Sequence, residues 1–582
     1  MLAFGRMVPR TIWSVLEGTA AKCPDKIALQ QPLGGGKYRT WTWREYAGTA
    51  REIAVGLRAT GVAQGDMVAL ASETRAEFYL ADLGVMACGA IAAALYTSLP
   101  HEEQRRTLQA CGARVVFAEN EKSMRALAQP GDRLRWILLT GEAEGCESLD
   151  ALCAAGRKAL ADDPQAFENI RAGFDASDYA ILYMTSGATG EPKMGLVTHH
   201  AIVSNLDMGP YVLPLSTEDS TIAFLPSAHI AQRVVVELLP AHDGACVWFS
   251  EGLSKLPHEM RTIRPTFFLA PPRVWERVYS SVSVEIRKKP APVRRLFYMG
   301  VGLGSEASRL RQQSKPVPAW MSAALRGFDR IMFAKIRERL GGRIRVAASG
   351  AAPLGKDLAE FYAAIGMPLI EGYGLTEGGV TMLNPLNRPK AGSIGKLLPG
   401  VEARIEEDGE LLLRSPSLFS GYFNDPDATA AVLRDGWLAT GDIAEVDDEG
   451  YYYITGRKKE LIVSSNGKKI YPARIEALLK REPLISHVLL TGDRLPYVCA
   501  LVSVGPGTKT EEAQRAVEAA VKTANRELAE FERIRKFKIL DREFSIEQGE
   551  LTPTMKLRRS RVLENHHELV SEMYSGRDAA GA

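Results

Sequence analysis

Residues 183–200 read YMTSGATGEPKMGLVTHH, a short apolar stretch followed by a loop rich in glycine, hydroxyl residues and lysine. The P-loop of nucleoside triphosphatases requires Gly, four residues, Gly-Lys and then Ser or Thr. Here Gly187 and Gly190 are only three residues apart, and Met194 occupies the Ser/Thr position. The spacing excludes a P-loop and predicts a different anion-binding loop, in which backbone N–H groups, hydroxyls and one lysine converge. A glycine-rich surface turn is the alternative.

The segments around this loop alternate between strand and helix patterns. Residues 42–61 have apolar side chains at helical spacing, whereas 65–72 and 113–119 are apolar runs of strand length. The most apolar run, Leu83–Tyr96, contains two glycines and is too short to cross a bilayer, so we interpret it as a buried helix-to-strand passage. This rhythm predicts an α/β fold of parallel-rich sheets flanked by helices.

The pattern of apolar and polar residues changes near Val401. Gly-punctuated, alternating strands follow and predict a small β-rich subdomain at about 400–456. We therefore expect a large multi-subdomain N-terminal domain over 1–456, which binds ligands, and a small, mobile α+β C-terminal domain over 457–582. Residues 288–320 have the pattern of a surface insertion with basic helical character.

Composition narrows the classes of function. The 582 residues carry 72 basic and 70 acidic side chains, a net charge of +2, which argues against nucleic acid as a partner. Seven dispersed cysteines without a CxxC pair indicate reduced thiols, and the first residues lack a signal-peptide pattern. We expect a cytoplasmic protein without a transmembrane segment. Peripheral contact with the inner face of a membrane stays open, as does the choice between monomer and homodimer.

Four motifs occur in an order that is typical of one family. They resemble those of the AMP-forming acyl-CoA synthetases, in the adenylate-forming superfamily, and the resemblance extends from about Val8 to Arg561. FLPSAHIAQR and RPTFFLAPPRVWERVY resemble the long-chain fatty acid branch in particular. The four motifs are YMTSGATGEPK (183–193), EGYGLTEGG (371–379), GWLATGDIAEVDDEGYYYITGRKKELI (436–462) and LTPTMKLRR (551–559).

The resemblance implies a two-step reaction. ATP activates a fatty acid to acyl-AMP with release of pyrophosphate, and the acyl group is then transferred to CoA, giving acyl-CoA and AMP. ATP, Mg²⁺ and CoA are the implied cofactors and co-substrates, and a fatty acid is the implied substrate. Because the reaction brings an anionic carboxylate against an anionic triphosphate, the main task of the site is electrostatic.

The resemblance also implies the residues that bind the nucleotide. Tyr373 would stack on adenine, Asp442 would accept the ribose hydroxyls, and Arg457 would reach the same sugar or the phosphate. Taken alone, Asp442 is equally well explained as a turn residue and Arg457 as a solvated charge. The residues that would hold the β- and γ-phosphates are Thr185, Ser186, Gly187, Thr189, Gly190 and Lys193. The remaining residues of the nucleotide and acyl site are Gly350, Ala351, Glu371, Gly372 and Gly374.

The implied catalytic residues come from three motifs. Lys556 matches the lysine of the adenylation step, and a compact ammonium can bridge the carboxylate and the α-phosphate. His229 matches a position near the same groups, although a lone histidine after a proline turn is more often structural. Thr376 would donate to the α-phosphate, and Glu377 would hold Mg²⁺ through a hard oxygen. The second step requires the C-terminal domain to rotate.

The hinge implied for that rotation is Lys459, two residues after Arg457. After rotation, Gly467 would line the pantetheine tunnel, and Lys468 or Arg535 would meet the phosphates of CoA. Three residues depart from the family pattern. Ala188 stands where many members have threonine, Met194 stands where glycine is usual, and Arg233 stands where some long-chain members have an aromatic gate.

Two other functions compete with a CoA ligase. One is a fatty acyl-AMP ligase that passes its acyl group to a carrier protein instead of CoA. The other is a catalytically silent module that binds an acyl group or a nucleotide. The intact charged residues of the motifs argue against the silent module, and the sequence does not determine the acyl chain length.

Overall fold

Continuous apolar runs form the centre of the largest sheet. Strands MVALA, IAAA and VVFA are buried on both faces, as parallel strands covered by helices must be. The computed structural model describes residues 9–185, 193–505, 507–552 and 555–575. Over these residues the strands, in chain order, are β1 Ile27–Gly34, β2 Lys37–Thr42, β3 Met67–Ala71, β4 Ile91–Ala94, β5 Val115–Ala118, β6 Arg135–Leu138, β7 Glu147–Ser148, β8 Tyr179–Thr185, β9 Lys193–Thr198, β10 Ser220–Ala223, β11 Cys246–Phe249, β12 Phe267–Ala270, β13 Val346–Ser349, β14 Leu369–Leu375, β15 Gly379–Leu383, β16 Lys396–Leu397, β17 Glu402–Ile405, β18 Glu410–Arg414, β19 Gly421–Tyr422, β20 Leu433–Arg434, β21 Trp437–Val446, β22 Tyr452–Arg457, β23 Ile462–Val463, β24 Lys469–Ile470, β25 Ile485–Thr491, β26 Val498–Val504 and β27 Ile534–Ile539.

The helices cover these strands and begin at sequence signals. Thr42 and Glu45 form a capping box at the start of the second helix, which satisfies two backbone donors. The helices are α1 Ile12–Lys22, α2 Trp43–Ala59, α3 Ala76–Ala87, α4 His101–Cys111, α5 Glu121–Leu127, α6 Leu149–Asp162, α7 Ala166–Arg171, α8 His199–Val212, α9 Leu239–Asp243, α10 Leu256–Ile263, α11 Pro272–Arg287, α12 Ala291–Gln312, α13 Ala319–Phe328, α14 Ala334–Glu338, α15 Lys356–Ala364, α16 Pro426–Val432, α17 Pro472–Leu479, α18 Thr510–Glu527, α19 Arg559–Asn565 and α20 His567–Tyr574. Two π-helical segments, Ala231–Leu238 and Asp329–Phe333, precede α9 and α14.

Three sheets build the large domain. The longest has the order β19-β9-β8-β4-β3-β5-β6-β7 and is parallel from β8 to β7. The others have the orders β10-β11-β1-β2 and β12-β13-β14-β15-β16. The passage predicted within Leu83–Tyr96 is confirmed, because α3 ends at Ala87, Gly89 turns the chain at a φ of +76°, and β4 begins at Ile91.

The β-rich segment and the C-terminal segment form their own sheets. Strands β17, β18, β20, β21 and β22 make one sheet over 402–457, close to the predicted 400–456. Beyond it, β25, β26 and β27 form a three-stranded sheet packed with α17 and α18 around a separate apolar core. The predicted α/β class, with a β-rich subdomain and a small α+β C-terminal part, is confirmed.

The motif at 371–379 lies mainly in a strand. β14 continues through Leu375, and the chain turns only at Thr376 to pair antiparallel with β15. Glycine permits this pairing, because a Cβ at Gly374 would lie 2.5 Å from the carbonyl oxygen of Gly379. The same strand therefore carries the motif to the edge of the cleft described below.

No helix in the described ranges combines the length and the apolar character needed to cross a bilayer.

Close packing between α2 and α6 gives a first test of the fold. A Cβ at Gly156 would lie 1.9 Å from the carbonyl oxygen of Glu52, so Gly156→Ala should destabilise the protein by about 1–3 kcal/mol. Gly48 on α2 has no neighbour within 4 Å of such a Cβ, so Gly48→Ala is the matched control and should be neutral or stabilising. Thermal unfolding checks both. Equal melting temperatures for the two variants would contradict this packing.

Candidate active site

A deep cleft separates the large domain from the C-terminal segment. Its volume is about 3690 Å³, and its walls come from the ends of β13 and β14, the π-helical segment that begins at Ala231, the β21–β22 hairpin and the loop that carries Lys556. The predicted site residues that line it are His229, Gly350, Ala351, Glu371, Gly372, Tyr373, Gly374, Thr376, Glu377, Asp442, Arg457, Lys459, Lys193 and Lys556. The fold thus brings into one cleft residues that are more than 350 positions apart in sequence.

Asp442 is at the centre of a hydrogen-bonded network. It lies directly opposite Arg457 in the β21–β22 pair, and Arg457 Nε donates to its Oδ1 at 2.8 Å. The hydroxyl of Tyr373 donates to its Oδ2 at 2.6 Å. Asp442 is only 3 % exposed, so both oxygens are held in place. The sheet edge of β14 is thereby tied to the β-rich sheet at the point where the chain leaves for its C-terminal segment.

Lys556 is held on a tight loop. Leu551 and Leu557 form a bridge across it, Met555 has a positive φ of +63°, and the Lys556 N–H donates to Thr552 Oγ1 at 3.0 Å. Solvent in the cleft reaches the side chain, but the walls desolvate it. Desolvation and the nearby Arg457 charge lower the pKa of Lys556 to about 8, although the carboxylates of Asp442 and Glu377 oppose this shift.

His229 is neutral at physiological pH. Burial, together with the charge of Lys556, lowers the pKa of His229 to about 3. Its Nδ1 accepts the N–H of Ala231 at 3.2 Å, so the proton of the neutral ring lies on Nε2. His229 can therefore donate one hydrogen bond into the cleft, but it supplies no charge there.

Glu377 is oriented by a residue that the sequence did not indicate. The hydroxyl of Tyr422 donates to Glu377 Oε1 at 2.7 Å. The Nζ of Lys193 lies 4.7 Å from the centre of the same aromatic ring. Tyr422 reaches this position because β19 pairs with β9, which begins at Lys193. A single tyrosine thus connects the predicted metal-binding carboxylate to the lysine of the phosphate loop.

The carboxylate of Glu377 fits the demands of Mg²⁺. Tyr422 donates to Oε1 of Glu377 and does not bond its second carboxylate oxygen, Oε2. Magnesium prefers hard oxygen ligands, which include carboxylate, water and phosphate oxygens. No group of three or more His, Cys, Asp or Glu side chains in the described part of the chain could form a complete metal cage. Glu377 would therefore contribute one protein ligand to a magnesium site, with phosphate and water oxygens among the other ligands.

The small residues at 349–354 form an open turn. Ala351 has a φ of +68°, and a Cβ at Gly350 would meet no atom closer than 3.8 Å. Next to this turn, Glu371 accepts the N–H of Leu354 at 2.8 Å. Burial raises the pKa of Glu371 to about 8, so its carboxyl group is mainly protonated at neutral pH and can donate a hydrogen bond.

Part of the predicted phosphate grip is not described by the structure. Ser186, Gly187, Thr189 and Gly190, together with the departure at Ala188, lie outside the described residues. The structure does describe the two strands that flank this loop. Thr185 ends β8 and pairs with Lys193 at the start of β9.

The residues predicted to act after rotation do not line the cleft in this arrangement, and their role after rotation stays a prediction. Gly467 is exposed at the β23–β24 turn with a φ of +76° and does not line the cleft. Lys468 lies over the ring of Phe531, and Arg535 pairs with Glu530 at 3.9 Å. In this arrangement, Lys556 lines the cleft and Gly467 does not.

Arg233 has an unexpected environment. It is fully buried, and its guanidinium makes a bidentate pair with Asp82 on α3, with Nε donating to Oδ2 at 2.9 Å. It also lies over the ring of Tyr183. Burial and the charge of Asp82 raise the pKa of the neighbouring Glu237 well above its usual value. Arg233 does not line the cleft, and only tertiary contacts identify its role as an internal anchor for the segment after His229.

Solved structures of other proteins share this architecture. The structure matches anthranilate CoA ligase AuaEII in complex with anthranoyl-AMP, with a TM-score of 0.75 and 21% sequence identity, over 98% of this chain and 100% of that one. It also matches a fatty acyl CoA synthetase of Mycobacterium tuberculosis, with a TM-score of 0.62 and 23% identity, over 96% and 99% of the two chains. At these identities the likeness establishes the fold.

The sequence defines the family. The model of the AMP-binding enzyme family matches residues 16–423, and that of the AMP-binding enzyme C-terminal domain matches residues 459–578. The chain is also 34% identical over 579 residues to the long-chain-fatty-acid–CoA ligase FadD15 of Mycobacterium tuberculosis, covering 95% of each chain. It is 26% identical to the long-chain-fatty-acid–CoA ligase ACSBG2 of Xenopus laevis, over 97% of this chain and 84% of that one. The protein belongs to the AMP-binding, adenylate-forming enzyme family.

The lowered pKa of Lys556 predicts a pH dependence. The ammonium is lost above about pH 8, so kcat/KM for ATP in carboxylate-dependent pyrophosphate release without CoA should fall about tenfold per pH unit there. Arginine keeps its charge at any accessible pH, so Lys556→Arg should be slower at pH 7 but flat up to about pH 9.5. An identical alkaline decline in both enzymes would assign the titration to another group.

The contact of Tyr422 with Glu377 predicts the effect of removing one hydroxyl. Tyr422→Phe keeps the ring beneath Lys193 but leaves Glu377 without its donor, so kcat/KM for pyrophosphate release should fall about tenfold, the value of one lost hydrogen bond to a charged group. Tyr422→Ala should lose more, because the ring is removed as well. Unchanged activity of Tyr422→Phe at limiting Mg²⁺ would refute a positioning role.

Proposed function

We propose that the protein is an AMP-forming fatty acid–CoA ligase that works in two half-reactions. It activates a long-chain carboxylate with ATP to acyl-AMP and pyrophosphate, and it then transfers the acyl group to the thiol of CoA. The observation that carries the proposal is the placement of Lys556, from the end of the chain, in one cleft with His229, Glu377 and the Asp442–Arg457 pair.

The residues would divide the adenylation step between them. The ammonium of Lys556 would neutralise the carboxylate and the α-phosphate oxygens as they approach, and its effect is large because the cleft walls desolvate it. The Nε2–H of His229 and the hydroxyl of Thr376 would orient these groups. Bound at Glu377, Mg²⁺ would supply charge neutralisation to the phosphates. Lys193 and the loop before it would hold the pyrophosphate that leaves.

The nucleoside would be held by the network around Asp442. Its carboxylate is fixed by Tyr373 and Arg457, which leaves remaining lone pairs for the ribose hydroxyls. The protonated carboxyl of Glu371 and the open turn at Gly350–Ala351 would border the base and the start of the acyl chain. These placements follow the family motifs residue by residue.

A rotation about Lys459 would permit the second step. Lys458 is held on the β-rich sheet by Asp408 and Glu410, at 2.6 and 2.7 Å, whereas the neighbouring Lys459 makes no ion pair with another described residue. The ion pairs that join the two sides of the cleft include Arg481 with Asp357 and Arg273 with Glu543, both partly exposed. Exposed pairs contribute little free energy, so they would not prevent a rotation that exchanges Lys556 for Gly467.

A carboxylate panel with and without CoA tests the proposal. Long-chain fatty acids should give ATP-dependent pyrophosphate release and, with CoA, a thioester and AMP. Lys556→Ala should lower pyrophosphate release about 10²–10³-fold, the effect of removing one electrostatic stabiliser, while thioester formation from supplied acyl-AMP stays within a few-fold of wild type.

Each other outcome points to a different function. Pyrophosphate release without any CoA thioester would favour a ligase that loads a carrier protein. Absence of carboxylate-dependent pyrophosphate would favour a silent binding module. Equal loss of both half-reactions in Lys556→Ala would contradict the proposed rotation.

A further inference from the structure

Exposed apolar side chains cluster on one helical region outside the cleft. We define the helical patch as residues 284–335, which include the end of α11, all of α12 and α13, and the π-helical segment Asp329–Phe333. Trp320 is 63 % exposed, Ile331 57 % and Tyr298 56 %. The other large apolar side chains that the patch exposes are Val284, Val293, Leu296 and Met299. Clusters of this kind on a folded protein mark interaction surfaces.

The inner face of the patch already has its partners. Phe297, Phe333 and Met321 are buried, and a Cβ at Gly300 would lie 2.7 Å from the ring of Phe328. The helices therefore pack against each other and against the large domain through one set of apolar residues, and the exposed set is additional to it. Neither the core nor the cleft explains the exposed set.

The helical patch is also strongly basic. It contains eleven lysines and arginines against three acidic residues, a net charge of +8, although the whole chain carries only +2 and the remainder of the chain therefore −6. Lys288, Lys289, Arg294 and Arg295 are exposed, and none of them makes an ion pair with another described residue. Charge and apolar area thus occur together on one region.

The patch adjoins the cleft through α11. Arg273, Arg277 and Ser280 on this helix line the cleft, and Val284 and Arg287 in its last turns belong to the patch. A helix rises 1.5 Å per residue, so about 6 Å of helix separates Ser280 from Val284. A surface to which the patch binds would lie beside the opening of the cleft.

We propose that the helical patch docks the protein on an anionic lipid bilayer. Lysine and arginine would meet the headgroups, and Trp320, Tyr298 and their neighbours would enter the boundary with the acyl chains, where amphipathic aromatic rings are favoured. A second copy of this chain is a poorer occupant, because two patches of charge +8 would repel each other. Nucleic acid would use the charge but not the apolar side chains. The docking does not depend on the proposed function.

Vesicle co-sedimentation of the full-length protein tests the proposal. Wild type should sediment with phosphatidylcholine vesicles that contain phosphatidylglycerol and much less with phosphatidylcholine alone, and about 1 M salt should weaken the binding. A variant with Lys288→Gln, Lys289→Gln, Arg294→Gln and Arg295→Gln should bind at least about tenfold more weakly. A second variant combines Leu296→Ser, Met299→Ser and Trp320→Ser. It should also lose vesicle binding, and the loss should be seen at low salt too, because it does not depend on charge.

Matched variants far from the patch serve as controls. Lys122→Gln with Lys158→Gln removes exposed basic residues on α5 and α6, and Leu33→Ser removes an exposed apolar side chain on β1. These variants should bind vesicles as wild type does. The substituted patch residues do not line the cleft, so pyrophosphate release with a soluble carboxylate and the melting temperature should be unchanged in every variant.

Two results would overturn the proposal. In the first, wild type fails to bind anionic vesicles. In the second, the patch variants bind vesicles as strongly as the control variants do. A change from dimer to monomer in the apolar variant, measured by light scattering, without a change in vesicle binding would assign the patch to a subunit interface. Loss of vesicle binding with intact ligase activity supports docking, and absence of ligase activity with intact vesicle binding refutes only the proposed function.

Discussion

The charge balance of the cleft depends on Asp442. This carboxylate accepts hydrogen bonds from Arg457 and Tyr373, and it opposes the effect of Arg457 on the pKa of Lys556. Without it, Arg457 would lose the carboxylate that pairs with it, and only Glu377 and Glu460 would offset its repulsion of Lys556, at a cost that rises as the local dielectric falls. A small number of buried acids and bases thus determines whether the C-terminal segment can place its lysine in the cleft.

Two other ionisable residues of the site, His229 and Glu371, are mainly uncharged at neutral pH. His229 is held neutral by burial and by the charge of Lys556, and Glu371 is held mainly protonated by burial. The charged groups that remain are the cations needed for anionic substrates and the carboxylates that orient them. A site with this distribution attracts a triphosphate and a carboxylate without first neutralising excess acid.

Much of the fold could be predicted from local patterns. The continuous apolar strands β3, β4 and β5 and the glycine-punctuated hairpins after Val401 each have one favourable way to bury their side chains. The extension of β14 through Leu375 could not be predicted in this way, because it depends on the approach of β15 to Gly374. Tyr422 was missed for a related reason, since its role follows from the pairing of β19 with β9, which are more than 200 residues apart in sequence.

By itself, the sequence determined the class of the fold, the family and the types of residue available to the site, because strand periodicity, glycine turns and motif order are local properties of the chain. Only the tertiary structure decided the state of those residues. The pKa values of Lys556, His229 and Glu371 depend on desolvation and on neighbours from distant segments, and so does the burial of Arg233 against Asp82. The helical patch also depends partly on the sequence and partly on the tertiary structure. Its basic residues can be read from the sequence, but the outward position of Trp320 and Tyr298 follows from which face of each helix the large domain covers.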